Sequence, residues 1–444
     1  MSSFFAPRPP LSRRDFLAGA SALAAVPLLR PAARVLDPRP FRALPAGHAD
    51  VLRVGLIGCG GRGTGAALQA LLAEAGTVVL TAMADVFPER IESSLATLRG
   101  ELGDSAATRL AVPPEQQFSG FDSYAKLLAS DVHVVLLAAP PHFRPEHLRA
   151  AVAAGKHVFC EKPMAVDAPG LRSVLETVES ARRQRLSLVA GFCWRYRAGH
   201  RATYARIHDG AIGSIRAVYS TYNTSTLGRR PRQAGWSDME FQLRNWQTHT
   251  WLSGDHLVEQ AIHSLDKQAW TFGDVPPLSC TAIGGNAARD YAERGDAFDH
   301  FGVTFDYPDG AKAFHMCRQI DNCSGDNSDW IWGTQGDAYV EGWTPYYAIK
   351  GARPWEYDGP DNDMYQQEHD ELFASIRKGE PINDGTWMAR STMLAIMARM
   401  AAYTGQTLTW EKALSSTQKL GPERLEFGAL PAPVPPVPGR TAFA

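Results

Sequence analysis

Cysteine is scarce, six in 444 residues, so no disulfide framework organises the chain. Neither sign of charge dominates. Lys and Arg number 45 against 47 Asp and Glu, with no long run of either, which argues against a nucleic-acid backbone as partner. No internal repeat is found, and the one conspicuous apolar stretch, Phe16 to Leu29, contains a proline and falls short of the roughly 20 residues that a bilayer span requires. What remains is an ordinary globular mixture, 45% hydrophobic and 21% charged with 39 Gly and 30 Pro, which excludes disordered, collagen-like and coiled-coil chains. At roughly 100 to 200 residues per domain, the length implies two or three domains, each able to bury a core without metals or disulfides.

The first 33 residues stand apart. Ser12-Arg13-Arg14-Asp15-Phe16-Leu17 and the alanine-rich run behind it resemble a twin-arginine export signal, with a cleavage point after Pro31-Ala32-Ala33. The expectation is export through the twin-arginine translocase to the periplasm as a soluble, mildly acidic protein. No cysteine follows the apolar run, so a stable membrane anchor has no support.

The most informative stretch comes next. Val51 to Ile57 reads as a buried strand running into Gly58-Cys59-Gly60-Gly61-Arg62-Gly63 and then a helix-forming segment, Ala66 to Ala75. In a strand–turn–helix of this kind, Gly58 makes the tight turn, Gly60 lets backbone approach a pyrophosphate, and Gly63 lets the helix pack on the strand. The phosphate then meets free N–H groups at the helix N-terminus. A second strand, Val78 to Ala84, ends in Asp85, 27 residues after Gly58, where a carboxylate can accept from ribose hydroxyls. This favours NAD, while Arg90 close behind leaves room for NADP.

Further along, Val132 to Ala139 is a buried strand followed by Pro140, Pro141 and a helix from Pro145 to Ala154. Then come Ala154-Gly155-Lys156-His157-Val158 and Glu161-Lys162-Pro163. Together with the glycine turn, these motifs closely resemble the Gfo/Idh/MocA family, named for glucose-fructose oxidoreductase and inositol dehydrogenase, over about residues 52 to 410. The resemblance implies an α/β chain. An N-terminal Rossmann domain (residues 50–196) would precede a C-terminal α+β substrate and oligomerisation domain with a large mixed or antiparallel sheet (197–425), ending in a Pro-rich tail (426–444). It also implies that Gly58, Cys59, Gly60, Gly61, Arg62, Gly63, Asp85, Pro140, Glu161 and Lys162 bind the cofactor, that Lys162 handles the reacting hydroxyl, and that the second sheet packs subunits into a homo-oligomer. Two positions depart from the family pattern: Ala139 stands where threonine is frequent, and Arg144 where histidine is frequent.

Trp251 to Asp266 reads as a loop and then a helix that places His256, Glu259, His263 and Asp266 on one polar face among apolar neighbours. By the resemblance, His263 is the general acid/base, Asp266 a substrate residue, and Glu259 replaces the usual aspartate. Read from the residues alone, the stripe is equally a satisfied buried network between domains, or a metal set of His256, Glu259 and His263. Arg195 and Tyr196, after the strand Leu186 to Ala190, are candidate substrate contacts. The segment Thr221 to Thr250, rich in Trp, Arg, Asn and Gln, suits a carbohydrate. Strands are predicted at 278–283, 301–307, 311–318 and 337–340, and helices at 366–378 and 388–403. Cys317 and Cys323 are expected to stay free, because a twin-arginine substrate folds in the cytoplasm.

These readings predict an NAD(P)-dependent oxidoreductase acting on a secondary hydroxyl of a sugar or cyclitol. Export away from the NAD pool would favour a tightly held, recycled cofactor. The alternatives are a redox-neutral NAD-dependent glycosidase or lyase of the same family, disfavoured by the intact Glu161-Lys162-Pro163, and a non-catalytic exported sugar-binding protein.

Overall fold

The computed structural model describes residues 51–288 and 295–444; the twin-arginine-like segment lies outside them. Among the described residues two sheets carry the fold. The first comprises β1 (Val51–Ile57), β2 (Thr77–Asp85), β3 (Gln117–Ser119), β4 (Val134–Leu137), β5 (His157–Cys160) and β6 (Leu188–Ala190), all parallel, in the order β3-β2-β1-β4-β5-β6. That is the doubly wound dinucleotide-binding order, with its switch point between β1 and β4. β4 is buried at every position and β1 nearly so, as strands covered by helices on both faces must be.

The second sheet is mixed. It contains β7 (Ile215–Thr224), β8 (Ser279–Gly285), β9 (His300–Asp306), β10 (Lys312–Gln319), β11 (Ser328–Gly333), β12 (Gly336–Glu341), β13 (Tyr347–Gly351), and the short β14 (Trp355–Glu356) and β15 (Leu408–Thr409). The order is β14-β13-β12-β11-β7-β10-β9-β8-β15, with β7 and β10 parallel and the remaining pairs antiparallel. Strict alternation on β10 buries Ala313, His315 and Cys317 beneath the helices Ile262–Thr271 and Gly385–Thr404. The other face is bare: Phe314 and Trp330 flank Tyr219 in register, and Met316, Trp332 and Ile283 are exposed on it too.

The predicted strands and the two late helices are present, with ends shifted by one to three residues. The central strand β7 begins before the segment that reads as irregular, because its apolar alternation is diluted by Ser220, Thr221 and Asn223. The helix Met364–Lys378, expected within the second domain, lies instead on the glycine-turn helix Gly61–Leu72, where Gln366 Nε2 donates to the Gln69 carbonyl at 3.0 Å. Residues 416–444 form neither helix nor strand.

Candidate active site

The glycine turn separates two kinds of glycine. Gly58 has φ +96°, and a Cβ there would stand 2.4 Å from the Ala139 nitrogen; a Cβ on Gly63 would stand 1.9 Å from the Gly58 carbonyl oxygen. These two serve the chain itself. Gly60 is extended, and a Cβ on it would meet only an Arg90 guanidinium nitrogen at 3.5 Å, while one on Gly61 would meet nothing within 4 Å. Their bareness faces a cleft of about 530 Å³ that Gly58, Asp85, Pro140 and Glu259 also line. The helix Gly61–Leu72 starts there with no side-chain cap and no acidic residue in its first turn, leaving its N–H groups to an anion. A dinucleotide pyrophosphate fits this cradle.

Asp85 holds the turn in place. Its carboxylate accepts from Cys59 N at 2.7 Å and Phe87 N at 3.0 Å, while burial raises its pKa. Each oxygen keeps a lone pair for a ribose hydroxyl. Cys59 contributes backbone; its buried thiol is pushed up by burial and by Asp85. Arg62 leaves the turn to pair with Glu161, bonds Gln69 at 2.8 Å, and lies over the rings of Phe159 and Tyr365. Glu161 also accepts from Lys162 N at 3.1 Å, so it positions both Arg62 and Lys162. The departure at Arg144 has a structural role: its buried guanidinium donates to the carbonyls of Leu137 (2.6 Å) and Pro163 (3.1 Å), tying the end of β4 to the Glu161-Lys162-Pro163 turn.

The predicted continuous helix over His256 to Asp266 is broken. Short helices span Thr250–Ser253 and His256–Glu259, and a longer one spans Ile262–Thr271. Gly254 and Asp255 separate the first two with φ of +80° and +88°. Asp255 holds this backbone by accepting from the N–H of His256, from Phe298 N (2.9 Å) and from the Tyr403 hydroxyl. Within the expected stripe the helix is interrupted again at Gln260 and Ala261, which parts His256 and Glu259 from His263 and Asp266. His256 turns toward the Tyr222 ring, 6.1 Å away. Among the described residues no three His, Cys, Asp or Glu side chains are placed to hold a metal ion, so the set His256, Glu259 and His263 is not one.

Glu259 and Lys162 do meet. Lys162 Nζ donates to the Glu259 backbone carbonyl and lies 3.3 Å from its Oε1. His263 lines a neighbouring pocket of about 330 Å³ together with Trp194, Tyr222, Trp343, Asn362 and Tyr365. Burial, then the cations of Lys162, Lys267 and Arg62, hold the imidazole well below its ordinary pKa, so it is neutral at physiological pH.

Asp266, Arg195 and Tyr196 are corrections to the predicted substrate set. Arg195 donates to both oxygens of Asp266 at 2.8–3.0 Å and to Asp274 at 2.5 and 3.1 Å, and stacks on Trp387 with 4.1 Å to the centroid. Asp266 also accepts from Ser391 at 2.6 Å, and the Tyr196 hydroxyl donates to Asp384 at 2.6 Å. All three spend their polar groups in a buried network, the structural alternative left open for this stripe. Sequence reasoning missed Asp255, which falls in the loop read before the helix and whose signal was its pairing with Gly254. It also missed Trp343 and Tyr365, which come to the site from a distant loop and a distant helix and carry no local signal.

A doubly wound sheet with an uncapped glycine turn, a carboxylate at the end of β2 and a lysine–glutamate pair at the cleft defines a dinucleotide-binding oxidoreductase. Residues 52–190 match the oxidoreductase family model with an NAD-binding Rossmann fold, Gfo/Idh/MocA, and residues 200–339 match the Gfo/Idh/MocA C-terminal domain. The chain belongs to this family. It is 28% identical over 200 residues to 2,7-anhydro-N-acetylneuraminate hydratase of Escherichia coli, covering 45% of this chain and 49% of that protein. It is 39% identical over 153 residues to inositol 2-dehydrogenase of Pseudomonas savastanoi pv. phaseolicola, covering 34% of this chain and 39% of that one. The chain thus spans about half or less of the curated relatives it matches. Among solved structures, levoglucosan dehydrogenase with NADH and levoglucosan superposes with a TM-score of 0.63 at 18% identity, covering 81% of this chain and 99% of that one. Aldose-aldose oxidoreductase from Caulobacter crescentus gives 0.62 at 20%, with 81% and 99% covered. At those identities the likeness establishes the fold.

Proposed function

We propose that the protein oxidises or reduces a secondary hydroxyl of a sugar or cyclitol with a bound NAD(H) that it keeps through many turnovers. The pairing of Lys162 with Glu259 at the cleft, with neutral His263 lining the adjoining pocket, carries this reading. Gly60, Gly61 and Asp85 would hold pyrophosphate and ribose, and the nicotinamide would supply the hydride acceptor or donor. Lys162, released from Glu259 by an arriving hydroxyl, donates a hydrogen bond to the reacting oxygen, and His263 takes or returns its proton. Trp194, Tyr222 and Trp343 offer apolar faces for a sugar ring, with the Asn362 amide as a planar polar partner. The carboxylate of Asp85 favours NAD over NADP, since a 2′-phosphate would face its negative charge.

A redox-neutral course, in which the hydride returns to the same substrate after elimination or hydration, is the second reading; the similarity to a hydratase favours it. A non-catalytic sugar-binding role is the third. The segment 1–33 supports export by the twin-arginine route, which would deliver the folded protein with its cofactor to the periplasm. The bare face bearing Trp330, Trp332 and Phe314 supports assembly with further copies of the chain.

The test is to denature the purified protein and identify the released nucleotide by mass. NAD(H) is expected; NADP(H) would overturn the assignment at Asp85, and no nucleotide would favour the binding-protein reading. Dialysed protein that lost its nucleotide readily and then oxidised a sugar with many equivalents of added NAD would overturn cofactor retention.

A further inference from the structure

The Pro-rich tail does more than end the chain. Residues 420–430 run beside the cleft and pack on residues that line it. Leu420 N donates to Asp167 Oδ2 at 2.8 Å. Gly421, at φ +102°, passes so close to His142 and Trp251 that a Cβ there would stand 2.8 and 3.0 Å from their rings. The Phe427 ring then lies 5.2 Å from that of Phe121 and 5.9 Å from that of Phe87, both of which line the cleft beyond Asp85. Immediately afterwards the tail bonds the opposite wall: Met239 N donates to the Gly428 carbonyl at 3.1 Å, and Leu430 N to Asp238 Oδ2 at 3.2 Å. Asp238 and Met239 open the helix Asp238–Arg244, whose Leu243 and Arg244 form that wall. Leu420 and Leu430 pack on one apolar cluster with Phe87, Phe121, Phe143, Leu243 and Trp246. The segment is tied down past its far end, where Gly439 N donates to the Thr404 carbonyl at 3.0 Å.

A dinucleotide with its pyrophosphate on Gly60 and a ribose on Asp85 places its adenosine half beyond Asp85, at Phe87 and Phe121. We propose that residues 420–430 are a fixed strap over the adenosine end of the cleft and that Phe427 is its positioning residue. It holds the two cleft-lining rings against the opposite wall, so that a bound dinucleotide leaves only when the strap lets go. This rests on the reading that the cleft holds NAD(H), and it supplies the physical means of retention. The walls need not part for chemistry at Lys162, which lies at the other end; they must part for exchange.

The experiment loads the full chain with NADH and follows its escape into excess NAD by the loss of energy transfer from tryptophan to the reduced nicotinamide. Phe427→Ala removes two ring pairs, so release should quicken about tenfold, with the equilibrium constant weakened by the same factor. Phe427→Tyr should restore slow release. Val434→Ala, at an 85% exposed position of the same tail, should release at the wild-type rate. Should Phe427→Ala fail to fold, Phe427→Leu, which keeps bulk without the ring, decides the matter by the same readout. NADH that binds but leaves Phe427→Ala at the wild-type rate overturns the strap and leaves the proposed function standing. Wild-type protein that binds no NADH overturns both, and the two failures are told apart by the wild-type trace alone.

Discussion

The two walls of the cleft are made by different means. The β1–β2 wall is local: within 35 residues the chain supplies the turn, the helix N-terminus and Asp85, and most of the hydrogen bonds that fix them run between backbone atoms or from backbone to Asp85. The opposite wall is assembled from afar: Glu259, which Lys162 reaches across 97 residues, lines it together with Leu243, Arg244 and Trp246. The local wall tolerates little change at Gly58 and Gly63, where a Cβ would meet backbone; the buried network of Arg195 and Asp266, built across 71 residues, fails when one partner is removed.

The contrast can be tested where the chemistry is placed. Lys162→Ala and His263→Ala should each leave the fold and nucleotide content intact and cut turnover by about 10² to 10⁴. Unchanged turnover in both would move the reaction elsewhere. The network of Arg195 behaves differently: Asp266→Ala leaves a buried guanidinium half paired and should cost about 3–5 kcal/mol in chemical denaturation, with nucleotide affinity unchanged in whatever protein remains folded. A loss of substrate affinity without a loss of stability would return Asp266 to the site. Within the local wall, Gly63→Ala should destabilise by at least about 3 kcal/mol, as overpacking against backbone does. Gly60→Ala should leave the melting temperature unchanged and weaken the dinucleotide instead, as read by titration with NADH.

A further expected effect is one of pH. Burial lowers His142 and His157 from 6.5 to about 4, and His147 and His315 to about 3. Between pH 6.5 and those values the unfolded chain binds protons that the native one refuses. Stability therefore falls on acidification through this window, by up to about 1.4 kcal/mol per pH unit for each histidine. Urea midpoints at pH 7 and pH 5 measure it; equal midpoints would mean that these imidazoles are solvated.

Legibility followed the same division. The glycine turn and Asp85 could be read because spacing along the chain sets their geometry, whereas Glu161-Lys162-Pro163 was legible through the family resemblance. The line of His256, Glu259, His263 and Asp266 could not, since a helical period says nothing of the interruption at Gln260 and Ala261. Arg195 looked like a substrate contact because a sequence shows charge without showing its partner. Glu259 and His263 lie on either side of that interruption, Glu259 beside Lys162 and His263 in the adjoining pocket.

The helix Met364–Lys378 has a further consequence, for the order in which the protein can be completed. β6 is extended by the chain at Asn383, with Leu188 N donating to the Ile382 carbonyl at 2.8 Å, and Ala190 N donates to Asp384 Oδ2 at 3.0 Å. Glu74 N, just after the glycine-turn helix, bonds Asp370 at 3.2 Å. The lobe that emerges first from the ribosome is therefore closed by residues made nearly two hundred positions later. A chain cut short before Met364 would carry the whole glycine turn and Asp85 and still lack the cover over the helix that presents them.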